Sequence, residues 1–177
     1  MPLSTFFRRS RPNDAVLKMY KSIVDQARHS RFYTDFGVPD TVDGRFEMVT
    51  LHTFLVLRRL KRASESASKA GQALFDVMFE DMDLSLREMG AGDMGVGKRV
   101  KAMVQAFYGR VGSYEAGLGE SADVLEDALA RNVFATAEPE QKHLDLLAAY
   151  VRAQDVYFAT LDRADIEAGE FSFGEFE

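Results

Sequence analysis

Apolar residues recur along this chain at the three-and-four spacing of amphipathic helices, most densely between residues 72 and 112. At about 100° per residue, Phe75, Phe79, Met82, Leu86 and Met89 form one stripe. Leu74, Val77, Met78 and Leu84 carry the apolar surface almost all the way round, leaving Asp76, Glu80, Asp83 and Arg87 on a polar arc. A helix of that kind is surrounded rather than superficial, so the pattern predicts a central helix ending near Met89. Asp81 falls on the margin of the apolar surface beside Leu74, Met78 and Ser85. A carboxylate buried there needs a partner, with Arg45, Lys98 and Arg99 as the candidates; a partly solvated Asp at the helix flank is the alternative.

The same periodicity predicts five further helices. Asn13 caps one through about Arg28, with Val16, Met19, Tyr20, Ile23 and Ala27 on its inner side. Phe32, Tyr33 and Phe36 pin an ordered turn containing Gly37, Pro39 and Gly44. A second apolar helix spans about Asp43 to Ala63, with Asp40 and Asp43 as candidate caps and an apolar run too short to span a bilayer. Residues 64–69 read as a polar break before the central helix. After a glycine-rich corner, a helix from about Gly95 presents Val96, Val100, Met103, Val104, Phe107 and Val111 and ends around Gly109 to Gly112. A turn at Gly117 and Gly119 leads into a helix from Glu120 to Asn132, and the last long helix starts at Pro139. The expected fold is all-α, a single-domain bundle of about six helices around a central hydrophobic helix.

The corner GAGDMGVGK matches G-x-G-x-x-G and G-x-x-x-x-G-K literally, through Gly90, Gly92, Gly95, Gly97 and Lys98. A phosphate loop needs a strand in front of it and Ser or Thr after the lysine, whereas a helix precedes this one and Arg99 follows. The expected structure is a helix-helix corner with Gly90 left-handed and Asp93 or a nearby glycine starting the next helix.

Cysteine is absent, which removes disulfides and cysteine-based metal sites. The net charge of -6 argues against general nucleic-acid binding, DNA included. It is unevenly spread: residues 1–31 carry seven basic and two acidic side chains, and residues 165–177 five acids and no base. The chain therefore divides into a basic tail over residues 1–12, a helical body over 13–165 and an acidic, aromatic tail over 166–177. The first tail, with Phe6 and Phe7 before three arginines, could rest on an anionic membrane surface; a disordered terminus is the alternative. The second, EFSFGEFE, reads either as a docking segment or as an end packed on the body. Arg58, Arg59, Lys61 and Arg62 stand at a helix C-terminus, where cations are favourable in any case. His52 lies in an apolar arc and reads as a hydrogen-bonded core histidine, and Glu140 with His143 makes a single Glu-x-x-His where a di-iron bundle needs two. The residues present no catalytic constellation. They favour a non-enzymatic interaction role without a cofactor over an enzyme or haem-handling protein using His52 and the carboxylates, or a lipid-binding helical module with a groove between helices.

Two stretches, GVPDTVDGRFEMVTLHTFLVLRRL and ALFDVMFEDMDLSLREMGAGDMGVGKRVKAMVQAFYGR, resemble the ubiquinol-cytochrome c chaperone family. The likeness is carried by Asp40 to Glu47, by Phe79 to Asp83 with Leu86 to Gly90, and by Gly95 to Lys98, within coverage from about Tyr20 to Tyr114. Ser30 stands where the family pattern leads one to expect proline. The resemblance implies an assembly factor for the cytochrome bc complex that binds newly synthesised cytochrome b. It also implies a small partner protein and contact with the ribosome, as in mitochondrial relatives. The short chain, with no long presequence, looks like a bacterial form, expected in the cytoplasm with peripheral contact at the inner face of the cytoplasmic membrane. On this reading Arg45, Glu47, Arg58, Arg59, Asp81, Asp83, Arg87, Lys98 and Arg99 are the candidate client- and partner-binding residues; pairing with one another to hold the corner is the alternative role for the charged ones.

Overall fold

The computed structural model describes residues 13–61, 64–119 and 121–176. The basic tail over residues 1–12, the end of the second helix at Arg62 and Ala63, and the Glu120 start of the fifth lie outside them. Among the described residues there are eight helical segments and no strand. They are α1 (Asp14–Ala27), α2 (Arg31–Thr34), α3 (Val42–Lys61), α4 (Glu65–Glu88), α5 (Asp93–Gly119), α6 (Ala122–Asn132), α7 (Gln141–Thr160) and α8 (Arg163–Glu167). Six of these exceed ten residues, in line with the all-α bundle read from periodicity.

Local chemistry explains most boundaries. The Asn13 side chain accepts from the Ala15 amide at 3.0 Å, as a cap should. Thr41, rather than Asp40 or Asp43, caps α3: its hydroxyl accepts from the Gly44 amide at 3.1 Å. The polar stretch 64–69 is no break. The Ser64 hydroxyl accepts from the Ala67 amide, so α4 starts at Glu65, its polar residues on the open face and Ala67 fully buried.

The most enclosed helix is α3 rather than α4. Residues 47–56 of α3 are buried without interruption, and α1, α4, α5, α7 and α8 pack around it. In α4 the buried set is Ala67, Leu74, Val77, Met78, Phe79 and Leu86, while Leu84 and Met89 are more than half exposed. The near-complete apolar circumference of α4 thus serves partly as surface. Helix α5 continues through Gly109 and Gly112 because Phe107 and Tyr114, both buried, hold it against the core on either side. Gly117 is not a turn residue. A Cβ there would meet the Leu125 Cα at 2.7 Å, so its bare backbone is what lets α6 fold back closely on α5.

Beyond α8 the chain lies on the body. Phe171, Phe173 and Phe176 pack against the core, and the Gln154 amide donates to the Gly174 carbonyl at 3.0 Å and accepts from its N–H at 2.9 Å. Phe176 stacks on Tyr150 with centroids 5.3 Å apart, and the Arg31 guanidinium sits 4.8 Å over the Phe176 ring.

Candidate functional site

The first turns of α3, the last turn of α4, the first half of α5 and the end of α6 leave an open groove of about 660 Å³ between them. Its walls are largely apolar: Val42, Phe46, Leu86, Met89, Met103 and Ala106. Arg99 stands on its α5 side. Glu47 and Arg110 also line it, and there the guanidinium binds the carboxylate through two nitrogens, one contact at 2.5 Å. Glu47 is only 5 % exposed, and burial raises its pKa against the opposing pull of Arg110. Two parallel contacts to a planar guanidinium are a geometry strong enough to offset part of the cost of burying that carboxylate.

A smaller recess of about 230 Å³ shares Val42, Phe46, Leu86, Met89 and Met103 and extends the groove towards α1. Tyr20, Arg28, Arg45 and Asp81 edge it. Asp81 does have a partner, though not one of the cations expected from the sequence: the Tyr20 hydroxyl donates to it at 2.7 Å. Burial, then this bond to a carboxylate, drive the Tyr20 pKa upward. Arg45 is engaged elsewhere, donating to Asp40 at 2.7 Å.

The corner below the groove has the expected form. Gly90 is left-handed at φ 86°; its amide donates to the Arg87 carbonyl at 2.9 Å and the Ala91 amide to the Leu86 carbonyl at 3.1 Å, a paired closure that caps α4. A helix feeds this loop, so it lacks the strand-to-helix turn of a phosphate loop. Arg87 ties the corner together by binding Asp83 in α4 and Asp93 at the start of α5.

Of the nine residues singled out from the sequence, Arg45, Glu47, Asp81 and Arg99 line the groove or its recess, and Asp83, Arg87 and Lys98 lie on the adjoining corner. Arg58 and Arg59 are at the other end of α3 and are used internally. Arg58 bridges Glu115 of α5 and Asp155 of α7, while Arg59 donates to the carbonyls of Phe158 and Leu161, each at 2.8 Å, closing the end of α7. Sequence reasoning missed Tyr20, Arg110 and Met103 as parts of the groove. The helix face that predicted Met103 as core was the available signal; Arg110 was hidden by reading Gly109 as a helix end.

His52 is the core histidine expected. Fully buried, its Nδ1–H donates to the Met48 carbonyl at 2.7 Å, and its Nε2 accepts from the Tyr150 hydroxyl at 2.9 Å. Gln26 in turn donates to Tyr150 at 3.0 Å. Among the described residues no three His, Asp or Glu side chains lie together as a metal site, and no helix is long and apolar enough to cross a membrane.

Comparison with known proteins places this chain in a family. The model of the ubiquinol-cytochrome C chaperone family matches residues 34–173, so the likeness runs past Tyr114 through the last third of the chain. Ubiquinol-cytochrome-c reductase complex assembly factor 1 of Xenopus laevis is 27% identical over 152 residues, covering 86% of this chain and 76% of that protein. The Homo sapiens protein of that name is 29% identical over 152 residues; the match covers 86% of this chain but 51% of the human one, about half its length. The crystal structure of the Cbp3 homolog from Brucella abortus superposes with a TM-score of 0.84 at 42% identity, covering 99% of this chain and 98% of that one. With a family match over most of the chain and a shared fold at that identity, the chain belongs to the ubiquinol-cytochrome C chaperone family.

Proposed function

We propose that this protein is an assembly factor for ubiquinol-cytochrome c reductase, binding newly made cytochrome b through the groove between α3, α4, α5 and α6 and carrying out no covalent chemistry. The names borne by its relatives support the assembly role. The observation that carries the binding reading is the groove itself: an open, mainly apolar recess of about 660 Å³ lined by residues of two of the segments that carry the family resemblance, Val42 to Glu47 and Leu86 with Met89. An unfinished membrane subunit exposes apolar helix faces, and such faces are received by apolar grooves between helices. Met82, Met89 and Met103 suit that task, because unbranched thioether side chains reshape around different apolar surfaces.

Arg45, Asp81, Asp83, Arg87, Lys98 and Arg99 rim or adjoin the groove and are proposed to orient the client; Glu47 acts through its pair with Arg110 by keeping the wall in place. Arg58 and Arg59, both engaged within the bundle, stand outside the proposed site. Lys98, Arg99 and Lys101 are exposed on the first turns of α5. Such cations contribute about 1 kcal/mol each near an anionic leaflet, which suits peripheral contact at the membrane where the client is inserted. Ribosomal RNA phosphates would be met by the same edge; a small partner protein is the remaining contact implied by the resemblance.

Ala102→Trp fills the groove from an exposed helix position, and capture of cytochrome b by the tagged protein is the readout. Recovery should fall roughly tenfold, the effect of losing about 1.4 kcal/mol of binding. Asp81→Lys and Lys98→Glu, tested separately, should each weaken capture. Unchanged capture by the folded Ala102→Trp protein would remove the groove from the reading. Loss of the gene should lower cytochrome b relative to other respiratory complexes, and normal cytochrome b would reject the assembly role itself.

A further inference from the structure

A second recess lies at the opposite end of the α3, α4 and α5 layer, about 20 Å along α3 from the client groove. It is a trough of about 440 Å³, within the roughly 300–1,000 Å³ of small-molecule sites. Phe54, Leu57, Phe75, Phe107 and Val111 form its walls. Tyr108, 60% exposed, stands at its edge against Phe75 with ring centroids 5.7 Å apart. An aromatic ring with a polar tip at such a boundary is the usual arrangement where an apolar site meets water.

We propose that this trough holds the hydrocarbon chain of a single-chain anionic amphiphile, with its carboxylate or phosphate head on Lys61. Three features of the trough point to that chemistry. Its walls are helices, whose backbone amides and carbonyls are bonded within each helix, so an extended peptide would leave its own amides unpaired there. A hydrocarbon chain has no such groups. Along α5 the trough runs from Phe107 to Glu115, about 12 Å, the reach of a medium-length acyl chain. Among the described residues the charges on its rim are Arg58, Lys61 and Glu115; Arg58 binds both Glu115 and Asp155, while Lys61 is exposed with no ion pair among those residues. The rim therefore offers a cation to an anionic head. Gly112 completes the opening: a Cβ placed there meets nothing within 4 Å.

Lys61 would hold a carboxylate and a phosphate alike, so decanoate and decanoyl-lysophosphatidylglycerol are the two probes, each below its micelle concentration, with monodecanoin as the neutral comparison. Calorimetry on the full chain should show saturable binding of one or both anions, and which of them binds names the head group. Gly112→Phe fills the trough while favouring the helix, and should cost about tenfold or more in affinity. Lys61→Glu should weaken the anions about tenfold and leave monodecanoin unchanged. The proposal is overturned if neither anion binds, if Gly112→Phe binds them as the parent does, if Lys61→Glu weakens monodecanoin equally, or if the trough takes only an apolar helical peptide. Cytochrome b capture reads the other groove, so each result stands apart from the assembly role.

Discussion

Burial keeps the His52 imidazole neutral in the fold, with its pKa lowered to about 4 from 6.5 in the open chain. As pH falls, the unfolded chain takes the proton first, so the stability His52 confers is whole above 6.5 and is lost between there and 4. That loss amounts to roughly 3 kcal/mol. Urea unfolding of the parent and of His52→Gln at pH 7.5, 5.5 and 4.5 should show the variant with a shallower decline, and parallel declines would count against it. Glu47 and Arg110 make the second residue-scale case. Arg110→Ala strands a buried carboxylate and should cost about 3–5 kcal/mol in unfolding free energy, whereas replacing both residues by leucine should recover most of it. Neither partnership is local, since Glu47 and Arg110 are 63 positions apart and Tyr20 and Asp81 are 61. Periodicity identified Asp81 as needing a partner but could not supply Tyr20, because that choice is made by where α1 crosses α4.

Within the elements, helix existence was legible and helix ends less so. Apolar spacing marked all six long helices, since the hydrogen bonds and the buried stripe of a helix repeat along a short stretch of chain. The ends misread were those where tertiary contacts override composition: α4 begins early because Ser64 caps it, and α5 passes two glycines because its neighbours hold it straight. Gly117 shows the difference best. Read as a turn, it is a point of helix contact, and Gly117→Ala should destabilise the protein by about 1–3 kcal/mol through crowding against Leu125, even though alanine is the better helix former. Thermal unfolding decides the matter: a raised midpoint would mean that the α5–α6 contact is loose.

Across the whole molecule, the segment after α8 closes over the core. The acidic, aromatic segment after α8 covers Tyr150 and His52 with Phe176 and Phe173, joining α2, α3 and α7 under one aromatic cluster. Removing residues 170–177 should lower the unfolding free energy by on the order of 3 kcal/mol, from the apolar area uncovered. It should also move the His52 pKa back towards its ordinary value, visible as a change in its NMR titration. An unchanged midpoint and titration would show the segment to be only loosely laid on the body. The candidate site is a whole-molecule feature too. Its signature segments were recognisable in the chain, yet the groove exists only because α5 and α6 fold back beside α3 and α4.

The sequence alone determined an all-α chain, the Asn13 cap and the left-handed Gly90 closure, because each depends on groups within a turn or two of one another. Only the tertiary structure decided that α3 rather than α4 is the enclosed helix, that Glu47 answers Arg110 and Asp81 answers Tyr20, and that the aromatic tail belongs to the core. Those outcomes depend on how helices cross. Many crossings satisfy the same apolar stripes, and the choice among them is made by packing between residues far apart in the chain.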